Sequence, residues 1–127
     1  MKIFVLGCNG MAGHMIALYL KEQGHSVLGF DLKQSDYVDS IAGDARDTES
    51  LRKIITEGNF DTVINCIGIL NQFAEKDKAL ASFLNAYFPH FLAEVTKDSD
   101  TQVIHMSTDC VFSGKRGGYT EEDFRDG

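Results

Sequence analysis

The chain has 127 residues, of which 43% are hydrophobic and 24% are charged, a composition ordinary for a single globular domain. Its formal net charge of −7 argues against a nucleic-acid partner, because surfaces that bind nucleic acid concentrate Lys and Arg. No apolar run is long enough for a membrane span, and the N-terminus lacks the plan of a signal peptide. We therefore expect a cytoplasmic protein with no membrane partner.

The cysteines do not suggest a disulfide framework. Cys8, Cys66 and Cys110 are odd in number and form no C-x-x-C pair. Each falls at or just after the end of a predicted strand, so they could gather on one edge of a sheet as a metal or redox site. A scattered cysteine is more often a small buried apolar residue. We therefore predict no metal site.

The N-terminus holds the most informative pattern in the chain. The apolar strand Lys2–Leu6 leads into Gly7-x-x-Gly10-x-x-Gly13 and then into a helix. Glycines at this spacing allow a tight turn, close approach of the backbone to a pyrophosphate, and close packing of helix on strand. The helix N-terminus would offer free N–H groups to phosphates. This context predicts a dinucleotide site, with a plain strand–turn–helix as the alternative. The residues assigned to the site here are Gly7, Asn9, Gly10, Met11 and Gly13.

Strand and helix patterns alternate along the chain, which predicts an α/β fold with a parallel sheet covered on both faces. We expect a Rossmann-type doubly wound sheet of strand order 3-2-1-4-5. Gly24 is placed to end the first helix, and Asp47 or Thr48 to begin the second. The predicted strands are Lys2–Leu6, Ser26–Phe30, Ser40–Ala42, Thr62–Ile67 and Gln102–Ser107, and the predicted helices are Met11–Gln23, Glu49–Glu57 and Ala79–Lys97.

The third predicted helix is strongly amphipathic but contains Pro89, the only proline in the chain. Proline removes one backbone hydrogen bond and would free the carbonyl of Asn85, four residues earlier. Either the proline produces a kink that fits the helix to the sheet, or the carbonyl and amide of Asn85 hold a water near the site. For the segment from Gly114 to Gly127 we predict no regular structure.

The second strand leads into Asp31, which lies 18 residues after Gly13. An acidic residue at about this distance hydrogen-bonds the adenosine ribose and repels a 2′-phosphate, which favours NAD. Lys33 is near enough to accept the 2′-phosphate of NADP instead, so both cofactors stay open. We assign Asp31, Leu32 and Lys33 to cofactor binding, the alternative being a solvated Asp that starts a loop.

Two further strand ends carry candidate residues. Asp44 and Ala45 follow the third strand, where an Asp could contact the adenine edge or be only a turn residue. Cys66, Ile67 and Gly68 follow the fourth strand, at the point where strand order reverses and doubly wound sheets bind ligands. Gly68 would leave the cofactor room to pass, or the segment could be a buried strand end.

The fifth strand ends in Ser107 and Thr108. Hydroxyls at the carboxyl end of a central strand are well placed to hydrogen-bond a substrate carbonyl, or they could merely satisfy the strand end. His105 lies on the alternating register of this apolar strand, which favours a satisfied core or face histidine over a catalytic base. His14, His25 and His90 have no spacing partner for a metal or a triad.

Together these motifs resemble the N-terminal part of the extended short-chain dehydrogenase/reductases, and within them the dTDP-4-dehydrorhamnose reductase-like sugar-nucleotide enzymes. The resemblance implies NAD(P)-dependent reduction of a nucleotide-linked 4-keto sugar in polysaccharide biosynthesis, and a homodimer is possible. Thr108, with Ser107, would orient the sugar carbonyl, and Asn85 would belong to the cofactor site. The matching pieces are Gly7-x-x-Gly10-x-x-Gly13, Asp31, Gly43-Asp44-x-x-Asp47, Asn85, Ser107-Thr108-Asp109-Cys110-Val111-Phe112-Ser113-Gly114 and Tyr119-Thr120-Glu121-Glu122-Asp123.

The chain departs from this family in two ways. No Tyr is followed four positions later by Lys, whereas the family uses such a pair to protonate the carbonyl, and Cys110 stands where the family commonly has Tyr. We therefore expect residues 1–127 to be an incomplete NAD(P)-binding domain, truncated before the last strands and the substrate domain and inactive alone. The alternatives are an epimerase or dehydratase of the same class, or a non-catalytic NAD(P)-binding regulatory subunit.

Overall fold

A computed structural model describes all 127 residues. Five strands form one parallel sheet in the order β3-β2-β1-β4-β5, which confirms the predicted α/β architecture and strand order. Strand β1 is central, and all four neighbour pairs run parallel, so every strand ends at the same edge of the sheet. The strands are β1 (Lys2–Leu6), β2 (Ser26–Asp31), β3 (Ser40–Ala42), β4 (Thr62–Asn65) and β5 (Gln102–His105).

The helices pack on the two faces of this sheet. None of them combines the length and the hydropathy that crossing a bilayer requires. They are α1 (Met11–Glu22), α2 (Thr48–Gly58), α3 (Asn71–Lys76), α4 (Lys78–Ser82) and α5 (Phe88–Thr96), with a π-helical turn at Phe83–Tyr87 and a 3₁₀ turn at Asp109–Val111.

Alternate residues of β1 belong to two separate apolar layers, as the two-residue period of a strand requires. Phe4 and Leu6 join the larger layer, where the ring of Phe4 stacks on Phe60 with centroids 4.7 Å apart. Ile3 and Val5 join the smaller layer beneath α1. Burial on both faces fixes the register of β1, and the register in turn fixes where the glycine turn begins.

The predicted residues at the end of α1 and the start of α2 are confirmed, and the bounds of the two helices differ from the predicted ones by one residue. Gly24 follows the last turn of α1 with φ +83°, the left-handed conformation that favours glycine. Its N–H donates to Lys21 O at a distance of 3.0 Å. Asp47 caps α2, since its Oδ1 accepts from the N–H of Ser50 at 3.1 Å.

The predicted strands β4 and β5 are too long. The structure ends β4 at Asn65 rather than Ile67, and β5 at His105 rather than Ser107. For β4 the cause is the Asn65 side chain, whose Oδ1 accepts from the N–H of Ile67 at 3.0 Å. When a side chain accepts a backbone N–H that would otherwise pair with the neighbouring strand, the strand ends there.

The predicted helix Ala79–Lys97 is present as a continuous helical segment from Lys78 to Thr96, but it is not α-helical throughout. The structure has α4, then the π turn Phe83–Tyr87, then α5, with α3 as an additional helix before them. In the π turn the N–H of Phe88 donates to Phe83 O, five residues back. Pro89 follows immediately and has no N–H to give, so the helix changes its hydrogen-bond register here.

Candidate functional site

The glycine turn between β1 and α1 is shaped by close backbone approach. Gly7 has φ +79°, and its N–H donates to Phe30 O of β2 at 2.8 Å. A Cβ on Gly13 would overlap the carbonyl oxygen of Gly7, so α1 rests directly on the turn. Gly10 is the N-cap of α1, and no side chain caps this end of the helix. The first N–H groups of a twelve-residue helix therefore point out beside the turn without a side-chain acceptor.

Asp31 is held against this turn. Its Oδ2 accepts from Asn9 N at 2.9 Å and its Oδ1 from Leu32 N at 2.8 Å. The Asn9 side chain donates to Lys33 O at 3.0 Å, which ties the loop after β2 to the loop after β1. A carboxylate has about four acceptor positions, so two N–H donors leave about two for hydroxyl groups. The structure thus brings Asp31, Leu32, Lys33 and Asn9 together.

A cleft of about 290 Å³ lies between the ends of β2, β3 and β4, and we call it the β2–β4 cleft. Its walls are mostly apolar, which suits a flat ring, and Asp44 lies at its edge with Arg46. The side chain of Phe30 is almost completely buried, whereas that of Leu32 is exposed. The lining residues are Phe30, Asp31, Leu32, Gly43, Asp44, Ala45, Arg46, Ile67, Gly68, Ile69, Leu80 and Leu84.

Asp44 is not a free carboxylate. It accepts the Nη2 of Arg46 at 2.6 Å and its Nε at 3.0 Å, and also the Arg46 backbone N–H at 2.9 Å. These hydrogen bonds, the side-chain one first, hold the pKa of Asp44 below its usual value. Arg46 was not among the residues predicted for the site, although the Asp-x-Arg spacing in the loop was a signal for the pair.

A second cleft, of about 400 Å³, lies between the ends of β4 and β5, and we call it the β4–β5 cleft. It brings together residues that the sequence predicted separately on two strands and a helix. A Cβ on Gly68 would lie 3.4 Å from Asn85 Oδ1, so the backbone of this glycine passes close to the Asn85 side chain. The lining residues are Cys66, Ile67, Gly68, Leu70, Asn85, His105, Met106, Ser107 and Thr108.

Two asparagines form the framework of the β4–β5 cleft. Asn85 in the π turn accepts from Ile69 N at 2.9 Å and donates to Ile69 O at 2.7 Å, which fixes the strand connection beside the cleft. Asn65 is completely buried, and its Oδ1 is already taken by the N–H of Ile67. Its amide nitrogen must therefore be the group that faces His105 Nδ1, 3.0 Å away.

This contact sets the tautomer of His105. Because the Asn65 amide nitrogen is a donor only, His105 Nδ1 must accept, which places the imidazole proton on Nε2. The side chain is exposed on the cleft rather than packed in the core, so the expectation of a face histidine with a satisfied nitrogen is the one that holds.

Thr108 begins the turn after β5. Its Oγ1 accepts from Cys110 N at 3.1 Å, which leaves the hydroxyl proton available to a ligand. The following segment folds back on this turn: Asp126 accepts from Ser113 N at 2.8 Å, and Gly127 N donates to Val111 O at 2.9 Å. The segment after Gly114 therefore has no helix or strand, as predicted, but specific hydrogen bonds hold it against the turn after β5.

The three cysteines lie in different environments. Cys8 is completely buried beside Gly29, Cys66 is half-buried on the β4–β5 cleft, and Cys110 is exposed in the 3₁₀ turn. Burial raises the pKa of the Cys8 and Cys66 thiols above the usual value. The thiols of Cys8 and Cys66 are therefore weak nucleophiles.

The sheet order, the glycine turn and the strand-end clefts define a Rossmann-type fold of the extended short-chain dehydrogenase/reductase class. A family model described as the RmlD substrate binding domain matches residues 1–126. The chain belongs to this family.

Named relatives agree with this family. A probable low-salt glycan biosynthesis reductase, Agl14, of Haloferax volcanii is 35% identical over 125 residues, which is 96% of this chain and 42% of the relative. A dTDP-4-dehydrorhamnose reductase of Mycolicibacterium smegmatis is 32% identical over 112 residues, which is 87% of this chain and 31% of the relative. The chain therefore spans less than half the length of the relatives it matches.

Solved structures share the fold. A hypothetical dTDP-4-dehydrorhamnose reductase from Sulfolobus tokodaii superposes with a TM-score of 0.87 at 28% identity, over 99% of this chain and 46% of that one. A UDP-glucose-4-epimerase from Stenotrophomonas maltophilia with bound NAD superposes with a TM-score of 0.83 at 19% identity, over 98% of this chain and 42% of that one. The second likeness bears on the fold alone.

Proposed function

We propose that residues 1–127 form the NAD(P)-binding part of a reductase that acts on a nucleotide-linked 4-keto sugar. The observation that carries the proposal is the joint geometry of the glycine turn and Asp31, whose carboxylate is fixed beside the uncapped N-terminus of α1. The family and the names of the relatives support the sugar-nucleotide chemistry.

The residues around the glycine turn and Asp31 support binding of a dinucleotide at its pyrophosphate and adenosine ribose. The absence of side chains at Gly7, Gly10 and Gly13 leaves a cradle in which backbone N–H groups can meet a pyrophosphate. Asp31 would receive the ribose hydroxyls on its remaining acceptor positions. Met11 is 88% exposed at the start of α1 and would cover the cofactor from above the turn.

The adenine would lie in the β2–β4 cleft, between the apolar walls around Phe30 and the polar edge at Asp44 and Ala45. The chain between β4 and α3, with Cys66, Ile67 and Gly68, would pass under the middle of the cofactor toward the β4–β5 cleft. A nicotinamide held there would supply hydride to a carbonyl carbon.

In the β4–β5 cleft, Ser107 and Thr108 would orient the sugar carbonyl by donating hydrogen bonds to its oxygen. The Thr108 hydroxyl proton is free for this because Cys110 N–H uses only the oxygen. Asn85 would hold the cleft wall in place through Ile69.

Cofactor choice follows from the charge beside the ribose. The carboxylate of Asp31 repels a 2′-phosphate, so we propose NAD as the preferred cofactor, while the nearby Lys33 keeps NADP usable. The test is to titrate the chain with NADH and with NADPH, using nicotinamide fluorescence. We expect tighter binding of NADH, and Asp31→Asn should reduce or reverse that preference.

Asp36→Ala is the matched control, because Asp36 is an exposed carboxylate of the same loop. It should leave the ratio of the two affinities unchanged. If neither nucleotide binds the wild-type chain, the proposed cofactor role is refuted.

The reaction is tested on the protein at its full natural length, with NADH and dTDP-4-dehydrorhamnose as substrates. We expect oxidation of NADH that depends on the sugar, and Thr108→Val should lower kcat by about ten- to a hundred-fold through loss of carbonyl orientation. Binding of NADH without any hydride transfer would favour a non-catalytic regulatory subunit instead.

A further inference from the structure

Residues 112–127, which we call the return loop, keep their shape without an apolar core. The loop contains no helix or strand, and none of its residues is buried. The rings of Phe112 and Tyr119 stack with centroids 4.7 Å apart, but both side chains stay partly exposed. A segment with few buried apolar contacts opens easily unless other interactions fix it. The hydrogen bonds of the return loop therefore decide its shape.

Asp126 joins the two ends of the return loop. Its Oδ1 accepts from Ser113 N at 2.8 Å, and its Oδ2 accepts from Ser113 Oγ at 2.7 Å. These bonds, the backbone one first, hold the pKa of Asp126 below its usual value. The next residue, Gly127, donates its N–H to Val111 O at 2.9 Å. Because hydrogen bonds to an ionised acceptor are about twice as strong as neutral ones, the carboxylate is the strongest tie between these two parts of the chain.

The hydroxyl groups beside Asp126 are ordered in one direction. Ser113 donates its only hydroxyl proton to the carboxylate. Tyr119 must then donate its own proton, either to Ser113 Oγ at 3.2 Å or to Asp126 Oδ2 at 3.5 Å, while its oxygen accepts from Arg116 N at 3.3 Å. In both arrangements the protons point toward Asp126. An amide at position 126 has one acceptor oxygen instead of two, so it cannot reproduce both bonds to Ser113.

The return loop begins where the turn after β5 ends. Thr108 starts this turn, where its Oγ1 accepts from Cys110 N at 3.1 Å, and Phe112 is the residue that ends it. Ser113 follows directly, so the bonds to Asp126 hold the chain one residue beyond the turn. Thr108 lines the β4–β5 cleft at the other end of the same turn. Movement of the return loop would therefore be passed to Thr108 through a short run of backbone.

We infer that Asp126 is a positioning residue that holds the turn after β5, and with it the Thr108 hydroxyl, at the β4–β5 cleft. This inference rests on the proposed function, in which Thr108 donates to the sugar carbonyl. Asp126 lines neither cleft, so it acts through Ser113 and the turn. A displacement of about 1 Å in a group that orients a substrate can cost ~10²-fold in rate. A loosened turn would thus slow hydride transfer without removing a binding contact.

The hold on the turn is tested without substrate, by amide hydrogen exchange of Cys110 N–H, whose acceptor is Thr108 Oγ1. Asp126→Asn should speed this exchange about ten-fold, the scale of one hydrogen bond to a charged group. The Ile69 N–H should keep its wild-type rate, because its acceptor is Asn85 on the opposite wall of the cleft. Glu122→Gln, which removes an exposed carboxylate charge from the same loop, is the matched control and should change neither rate.

The effect on turnover is measured on the protein at its full natural length, with NADH and dTDP-4-dehydrorhamnose. Asp126→Asn should lower kcat about ten-fold, while KM for the sugar nucleotide and the affinity for NADH stay nearly constant, because no contact with either ligand is lost. In a Thr108→Val background, Asp126→Asn should lower kcat no further, because Asp126 acts through Thr108. Glu122→Gln should retain the wild-type kcat.

A loss of kcat that persists in the Thr108→Val background would overturn the inference. Unchanged exchange of Cys110 N–H, or faster exchange of Cys110 and Ile69 together, would also overturn it, and all three outcomes leave the proposed function intact. If Thr108→Val alone leaves kcat unchanged, the proposed role of Thr108 is refuted instead, and the exchange of Cys110 N–H decides separately whether Asp126 holds the turn.

Discussion

Gly13 offers a sharp test of how the turn is built. A Cβ at this position would overlap the carbonyl oxygen of Gly7 and lie 2.8 Å from its carbonyl carbon and 3.2 Å from Cys8 Cα. All three are backbone atoms, so rotation of a side chain cannot relieve the clash. Gly13→Ala must therefore push α1 away from the turn or distort the end of β1.

The magnitude follows from two opposing effects. Alanine in a helix interior is favoured over glycine by about 1 kcal/mol. Overpacking in a protein core typically costs up to about 3 kcal/mol. The clash here is with backbone atoms that cannot rotate away, so we take a cost of about 4 kcal/mol. The net loss of about 3 kcal/mol is a large part of the ~5–15 kcal/mol that stabilises a domain, and corresponds to a fall in Tm of about 10 °C.

Urea unfolding followed by circular dichroism measures this loss, with Gly10→Ala as the matched control. A Cβ on Gly10 would lie 3.3 Å from Gly7 O, a tight contact that a small shift relieves. We expect Gly10→Ala to cost less than about 1 kcal/mol, the scale of an N-cap exchange. Equal free energies of unfolding for the two variants would refute the close-approach argument.

Three further outcomes are expected. Under native conditions a maleimide should label the exposed Cys110 and not the buried Cys8, read by mass spectrometry, and fast labelling of Cys8 would contradict its burial. The ¹⁵N spectrum of neutral His105 should show the proton on Nε2, and a proton on Nδ1 would contradict the contact with Asn65. Asn85→Ala should speed exchange of the Ile69 amide hydrogen, because that N–H loses its acceptor, and unchanged exchange would count against the Asn85 bridge.

Local signals made part of this fold predictable. The strand, glycine turn and helix from Lys2 to Glu22 each depend on residues next to one another in sequence. The caps at Gly24 and Asp47 depend on one residue and its near neighbours. The alternation of strands and helices then leaves only a few possible strand orders for the sheet.

The parts that sequence reasoning missed depend on contacts between distant residues or on competing hydrogen bonds. The end of β4 is set by Asn65, whose side chain takes a donor that the ladder would otherwise use. The π turn before Pro89 is a change of register that hydrophobic periodicity does not report, because its apolar positions still face the sheet. Arg46 was missed because the Asp-x-Arg spacing indicates an ion pair but does not show that the loop after β3 lines a cleft with residues from β2 and β4.

Asp31 shows why cofactor preference in this chain is coupled to the shape of the turn. Its carboxylate is the charge that would repel a 2′-phosphate, and it is also the acceptor for Asn9 N and Leu32 N. A substitution that removes the charge therefore also releases two backbone donors beside the pyrophosphate position. Asn keeps the shape and one oxygen, so it alters charge with less loss of geometry than Ala. Lys33 tests the NADP contribution without this side effect, because Asn9 engages only the backbone carbonyl of Lys33, and loss of its ammonium group should weaken NADPH and not NADH.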